Sequence, residues 1–398
     1  MKITGHKPSE IRKWLTYALV GIVVLVLAGA SIGAVILKRH GYSIADYLPG
    51  TVALQVPPYV QNVTRNSASV LWNTTKPSDT SVSYGITSDL GNTVSGQSGR
   101  RHEVKLTDLK ADTLYYYQVQ DKGPLDDIHT FRTAPDAEAT IRFAALGDSG
   151  DASDGQYQMA AIIAKSLPQL VLHLGDVVYK TGAERQYDSR FYLPYEGLLS
   201  SIPFYPSLGN HDVRTDDGQP YLNAFDLPTN NPQQTERYYS FDYGPVHFVA
   251  LDSELYAGDH SLSTQAQKDW LKKDLDQRQR PWTIVFLHRP PFSSSLGPHP
   301  GGDARIRQDL VPIFERANVD LVLTGHQHNY ERLKPINGVS YIVSGGGGAD
   351  LYPIEPGKRS AYAVSRLNVL ELKASPHELK VDAIGEDGAV FDSIRLTR

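Results

Sequence analysis

The chain has 398 residues, a formal net charge of −5 and 40% hydrophobic residues, which allows one membrane element and two domains. Lys and Arg do not cluster, so nucleic-acid binding is not expected. The absence of cysteine excludes disulfides, thiolate metal sites and cysteine catalysis. Tyrosine is abundant, 23 residues against 11 Phe.

In chain order, residues 1–14 read as a cytoplasmic tail and residues 15–37 as an uncharged apolar stretch, LTYALVGIVVLVLAGASIGAVIL. As a helix it would reach about 35 Å at about 1.5 Å per residue, enough to span a bilayer. Lys2, Lys7, Arg12 and Lys13 precede it, and Lys38 and Arg39 follow. An uncleaved transmembrane anchor is the favoured reading, because Ile32 to Leu37 continues the apolar run. A signal peptide cleaved near Ala30, giving a secreted protein, is the alternative. In either case the bulk of the chain lies outside the cytoplasm. Residues 38–57 read as a polar, Pro/Gly-punctuated linker.

Residues 58–135 carry short alternating runs, SASVLWNT, SVSYGI, HEVKLTDL, TLYYYQVQ and DIHTFRT. The pattern predicts an all-β sandwich. It resembles a fibronectin type III-like domain: Trp72 sits in an early strand, and Leu109 to Tyr115 is similar to that fold's Leu-then-Tyr corner. Both aromatics are read as core, and nothing in this domain looks catalytic.

From residue 138 to 398 strand-like runs alternate with helical spacing. The runs are IRFAAL, VLHL, FYPSL, VHFVAL, TIVFLH, VDLVLTG and VSYIVSG; the helical stretches are Gln156–Leu167, Ser263–Arg278 and Ile306–Ala317. Such alternation predicts an α/β layered domain. The strand-like tail from Ala361 to Arg398 is expected to close its sheet system.

Five segments of this region carry metal-ligand residue types: Gly147-Asp148-Ser149-Gly150, Gly175-Asp176-Val177-Val178-Tyr179, Gly209-Asn210-His211-Asp212, Val285-Phe286-Leu287-His288 and Gly325-His326-Gln327-His328. Most follow a β-branched apolar run. A strand stopping at Gly-Asp or Gly-His presents its side chain at the carboxyl edge of a sheet, where α/β proteins build their sites. Carboxylate, imidazole, amide oxygen and phenolate form a hard-to-borderline donor set suited to Fe, Mn or Zn. There are enough ligands for two ions, and paired ions suit hydrolysis of phosphate esters.

The ordered set GDSG, GDVVY, GNHD, VFLH and GHQH closely resembles the purple acid phosphatases, within the calcineurin-like metallophosphoesterases. The resemblance spans about Pro58 to Arg398. It implies a β-sandwich core flanked by helices, and a pair of metals, Fe(III) with a divalent Fe, Zn or Mn. By motif position, Asp148, Tyr179 and His328 bind the first ion, Asp176 bridges both, and Asn210, His288 and His326 complete the second. His211 contacts the substrate phosphate or leaving oxygen. His299 lies where relatives carry a substrate-contacting histidine that could act as general acid; a plain exposed loop residue is the other reading. Tyr179 as a phenolate ligand points to ferric iron, against a packing tyrosine beside a Mn or Zn centre. His173 reads as a hydrogen-bonded core histidine, Gly345 to Gly348 as a tight turn near the site, and Glu331 and Arg332 as supporting residues. Asp212 stands where plant and animal members carry Glu.

The resemblance therefore implies a hydrolase of phosphate monoesters in which a metal-activated hydroxide attacks phosphorus in line. A phosphodiesterase, perhaps nucleotide-directed, fits the same scaffold. A surface binding protein with a vestigial metal domain is the non-enzymatic alternative, weakened because every ligand position is filled. The expected partners are a phosphate ester substrate and, through residues 15–37, the membrane.

Overall fold

The computed structural model describes residues 52–121, 123–257, 263–297 and 300–398. The apolar stretch 15–37 and His299 lie outside the described residues. Among those described, no helix is long and apolar enough to cross a membrane.

The first domain has seven strands: β1 Leu54–Gln61, β2 Ala68–Ser78, β3 Ser81–Gly85, β4 Asn92–Ser95, β5 Gly99–Leu106, β6 Leu114–Gln120 and β7 His129–Arg132. They form two antiparallel sheets, β1-β2-β5 and β4-β3-β6-β7. Inward residues of both pack together, with Trp72, Val104, Tyr117 and Phe131 at the centre. Tyr115 makes the expected corner: its hydroxyl accepts the Lys110 N–H at 2.9 Å. One boundary differs from the sequence reading. The linker ends earlier, because β1 starts at Leu54, and its register shifts around Val56 and Tyr59. Pro57 and Pro58 lie between those shifts, lack an N–H for the ladder, and hide the strand pattern.

The second domain contributes β8 Ile141–Leu146, β9 Val171–His173, β10 Phe204–Pro206, β11 Tyr239–Tyr243, β12 Val246–Leu251, β13 Trp282–Leu287, β14 Leu321–Thr324, β15 Tyr330–Leu333, β16 Ser340–Ser344, β17 Ser360–Val364, β18 Asn368–Ala374, β19 Glu378–Gly385 and β20 Val390–Thr397. One mixed sheet has the order β10-β9-β8-β18-β19-β20, the other β11-β12-β13-β14-β16-β15-β17. The runs β8-β9-β10 and β12-β13-β14-β16 are parallel. The carboxyl-terminal tail does close the system: β18 pairs antiparallel with β8.

Alternation along the parallel strands sorts side chains into two cores. Phe248, Ala250, Ile284, Phe286, Leu321 and Leu323 face the other sheet. Their neighbours Val249, Leu251, Val285, Leu287 and Val322 face outward against Trp270, Leu271 and Phe314. Those three belong to the helices Thr264–Gln277 and Val311–Arg316. Both faces of these strands are covered, which is why they read as continuous apolar runs. The helix Asp154–Ser166 is capped by Ser153, whose side chain accepts the Gln156 N–H. The stretch Ile306–Ala317 is not one helix. It divides into Ala304–Asp309 and Val311–Arg316, with Pro312 in the first turn of the second piece. Proline has no N–H to continue the preceding helix.

Tyrosine hydroxyls fasten the two domains. Tyr59 donates to the Ala224 carbonyl at 2.8 Å, Tyr117 to that of Ser200 at 2.8 Å, and Tyr205 to that of Val63 at 2.9 Å. Val56, Tyr59 and Leu71 of the first domain belong to the same apolar cluster as β8 and β9. Inside the second domain, Tyr221 and Tyr239 both donate to the Pro206 carbonyl, at 2.8 and 2.7 Å.

His247 on β12 is held between two carboxylates, Nδ1 2.8 Å from Asp242 and Nε2 2.9 Å from Asp274. Burial alone would lower its pKa, but the two aspartates raise it to about 9. A raised folded pKa gives stability that is fully present below the unfolded value near 6.5 and is lost as pH rises through 9. Urea unfolding should therefore show a loss of up to about 3 kcal/mol between pH 6 and pH 10. His247→Gln should flatten that slope; an unchanged slope in the variant would reject the assignment.

Candidate metal centre

The two sheets converge at the carboxyl ends of their parallel strands. From one sheet, the loops after β8, β9 and β10 supply Asp148, Asp176 and Asn210. From the other, β13 and β14 lead into His288, and into His326 and His328. Asp148, Asp176 and His326 take positive φ, 60°, 53° and 68°. For residues with a Cβ the left-handed region costs about 1–2 kcal/mol, and such strain collects at functional sites. It turns each chain abruptly at the strand end. Gly175, at φ 87°, has His288 lying against it: a Cβ there would sit 2.5 Å from the ring's Nδ1. Only glycine allows that approach.

Asp148, Asp176 and His288 each offer a ligand atom within 4.8 Å of the other two. The backbone N–H of His326 donates to Asp148 Oδ2 at 2.7 Å. The Tyr179 hydroxyl donates to Asp148 Oδ1 at 3.0 Å and lies 2.9 Å from His328 Nε2. Asp176 Oδ2 is 3.5 Å from His288 Nε2, and Oδ1 accepts the His211 N–H at 2.8 Å. Asn210 Oδ1 and His326 Nδ1 both lie 3.1 Å from His288 Nε2. All seven residues that the motifs single out as ligands are thus brought together.

Two imidazoles have their tautomers fixed. His288 Nδ1 faces the Leu174 carbonyl at 2.9 Å, and His328 Nδ1 faces the Asp350 carbonyl at 2.6 Å. A carbonyl only accepts, so each Nδ1 carries a proton and each Nε2 is the nitrogen turned inward. The His328 ring also stacks on Tyr352, centroids 4.1 Å apart and planes at 8°. These carbonyl and ring partners left no mark in the motifs.

The electrostatics call for positive charge. Burial alone would raise the pKa of Asp176, yet the facing His288 and His211 hold it below the usual range. Burial would lower His288, but Asp176 and Asp148 bring it up to about 10. Burial, reinforced by the charges of Asp148 and Asp176, pushes the Tyr179 phenol well above its ordinary value. Buried carboxylates ringed by inward Nε2 atoms form a donor set that fits hard-to-borderline cations.

Around this cluster the structure sorts the remaining sequence candidates. His211 is partly exposed at the site's edge. Its Nδ1 donates to the Lys180 carbonyl at 2.7 Å, and its Nε2 is 4.0 Å from Asp176 Oδ2. His173 is buried, with Nε2 2.8 Å from Ser149 Oγ, and burial lowers its pKa to about 3. It is a core residue. Gly345 lies against the Gln327 carbonyl, and a Cβ there would come within 2.8 Å of Asp148 Oδ2. The glycine run thus lets a turn approach the site. Glu331 accepts from the Ser294 N–H and the Ser360 hydroxyl, and Arg332 grips Asp392 with two hydrogen bonds. Both are structural.

Asp212 does more than the sequence suggested. Its carboxylate accepts the N–H groups of Gly209, Val177 and Val178 at 3.0, 3.1 and 3.1 Å. It ties the Asp176–Tyr179 loop to the Asn210 loop. Asp212→Ala would leave three buried donors unsatisfied, each costing about 1–3 kcal/mol before relaxation. Urea denaturation should show at least about 3 kcal/mol lost, with partial recovery in Asp212→Asn. Wild-type stability in the alanine variant would contradict this role.

Comparison with known proteins agrees with this geometry. Residues 141–330 match the family model of calcineurin-like phosphoesterases. Residues 54–133 match that of the purple acid phosphatase N-terminal domain. Purple acid phosphatase 21 of Arabidopsis thaliana is 32% identical over 303 residues, covering 69% of this chain and 67% of its own length. Purple acid phosphatase 15 of the same plant is 30% identical, covering 66% of this chain and 57% of its own length. In fold, the purple acid phosphatase from yellow lupin (Lupinus luteus) seeds superposes with a TM-score of 0.74 at 22% identity, covering 86% of this chain and 74% of that one.

Proposed function

This chain belongs to the purple acid phosphatase family and is a phosphoester hydrolase; from that premise we propose that it hydrolyses phosphate monoesters at acid pH with two metal ions. The observation that carries the reading is the buried cluster of Asp148, Asp176 and His288. Asp148, Tyr179 and His328 would hold a ferric ion, and Asn210, His288 and His326 a divalent Fe, Zn or Mn. Asp176 would be shared. Bound there, the cations supply Lewis acidity toward the phosphate oxygens and acidify water.

The chain's own residues set the rest. The Leu174 and Asp350 carbonyls keep the Nδ1 protons of His288 and His328 turned away from the centre. His211 has its Nδ1 proton engaged on Lys180, so Nε2 is the nitrogen available to the phosphate. A proton passed to the leaving alkoxide would come from that atom. Burial of Asp148, Asp176 and His288 keeps bulk water from screening the charges that orient the phosphate. The same reading has the catalytic domain outside the cytoplasm, anchored by the uncharged stretch 15–37.

Three measurements test it. The purified protein should be coloured by charge transfer from Tyr179 to iron, and Tyr179→Phe should bleach it without unfolding it. A colourless, iron-free wild type with full activity and an alkaline optimum would remove the ferric assignment and leave a metallophosphoesterase. Asp176→Asn should lose metal and lower kcat/KM by more than about 100-fold, beyond the usual cost of an outer hydrogen-bond partner. Two ions retained with substantial turnover would refute the bridging role. An aryl monoester should be cleaved faster than the corresponding aryl diester; the reverse order would favour a phosphodiesterase.

A further inference from the structure

Four charged side chains are buried behind the half of the centre that Asn210 and His288 form: Arg237, Asp252, Glu254 and Arg289, at 4, 0, 2 and 8% exposure. Arg289 directly follows His288. Its Nε and Nη2 meet Glu254 Oε1 and Oε2 at 2.9 and 2.8 Å, and its backbone N–H donates to Ser253 Oγ at 3.1 Å. The Glu254 N–H donates to Asp252 Oδ1 at 2.9 Å, and Asp252 Oδ2 accepts from Arg237 Nε at 2.7 Å. Arg237 Nη1 then reaches the Asp217 carbonyl at 2.5 Å and its carboxylate at 3.4 Å.

That last contact lands on an unusual turn. Asp216, Asp217 and Gly218 have φ of 47°, 51° and 86° in succession. Two consecutive left-handed aspartates are a strained arrangement that contacts from outside the turn help to hold. The turn lies just beyond the short helix Asp212–Arg214, and so closes the loop that carries Asn210. The charged chain therefore runs from the neighbour of His288 to the end of the Asn210 loop.

Asn210 follows β10 and His288 follows β13, strands of different sheets. No β-ladder joins these two strands or fixes their spacing. We propose that Arg289, Glu254, Asp252 and Arg237 form a strut that sets the separation of Asn210 and His288, and thereby the affinity of the second metal position. These are positioning residues. Buried ion pairs are often replaceable by apolar side chains with little loss of stability. Their effect is expected in geometry: they restrict where two loops from separate sheets can meet.

The inference rests on the two-metal reading, and the test separates the two. Metal-free full-length protein is equilibrated with graded zinc alone, and bound zinc is counted, with thermal melting of the metal-free form as control. Wild type should bind two ions; fewer would overturn the two-metal reading and the strut with it. Glu254→Leu combined with Arg289→Met removes both partners and strands no charge. It should melt like wild type and keep the first ion, while the second is weakened about 10–100-fold, the usual cost of outer-sphere changes at a metal site. Two ions bound with wild-type affinity would overturn the strut. So would equal weakening of both sites with a lowered melting point, which is what general destabilisation predicts. If the double variant does not fold, Arg289→Lys decides. It keeps the charge and loses the paired contact, and should weaken the second ion selectively; wild-type zinc binding in it overturns the proposal.

Discussion

Negative charge buried where two sheets meet is the constraint around which this molecule is arranged. Asp148 and Asp176 are taken almost fully out of water at the end of one sheet. Unopposed, such carboxylates would cost several kcal/mol each. The other sheet answers with His288, His326 and His328. Neither sheet completes the centre alone, so packing of the two inner faces and assembly of the site are one event. The T-shaped contact of Phe143 with Phe248, 5.1 Å between centroids, is part of the same packing.

Strand ends give the site its position, but loops give it precision. Three of the candidate ligand residues accept left-handed backbone, and Gly175 lets the His288 ring lie on the chain. Asp212 binds two loops through three amides. Fixed carbonyls decide which nitrogen of His288 and His328 faces inward. Each device removes a degree of freedom before any ion arrives, which is how a site becomes preorganised.

The candidate ligands were legible in the sequence because their signal is local. A β-branched run followed by Gly-Asp or Gly-His encodes both the strand and its abrupt end, and the order of five such segments gave the family. The parallel strands of the second domain were equally visible, since coverage on both faces makes them uniformly apolar, whereas β11 and β15 went unread. Less was visible where partners are remote in sequence. Nothing near His328 announces that it will stack on Tyr352, and nothing near Arg289 points to Glu254, 35 residues earlier. Strand β1 was hidden by Pro57 and Pro58, and β4, with only four residues and none fully buried, has too little pattern to detect. The break at Leu310 was readable from Pro312 but was outweighed by apolar spacing on both sides. His299 and residues 15–37 rest on sequence alone.

The surplus of tyrosine over phenylalanine has a consequence for the small sandwich domain. A phenylalanine at 59, 117 or 205 would fill the same space, but the hydroxyls give the seam direction, since each must find one particular carbonyl. The two domains are therefore pegged in orientation as well as glued by apolar contact. Removing the first domain would uncover Tyr205 and the carbonyls of Ala224 and Ser200 together with a slice of the core beside β8 and β9. The sandwich is better regarded as a buttress of the catalytic sheet than as a module on a tether.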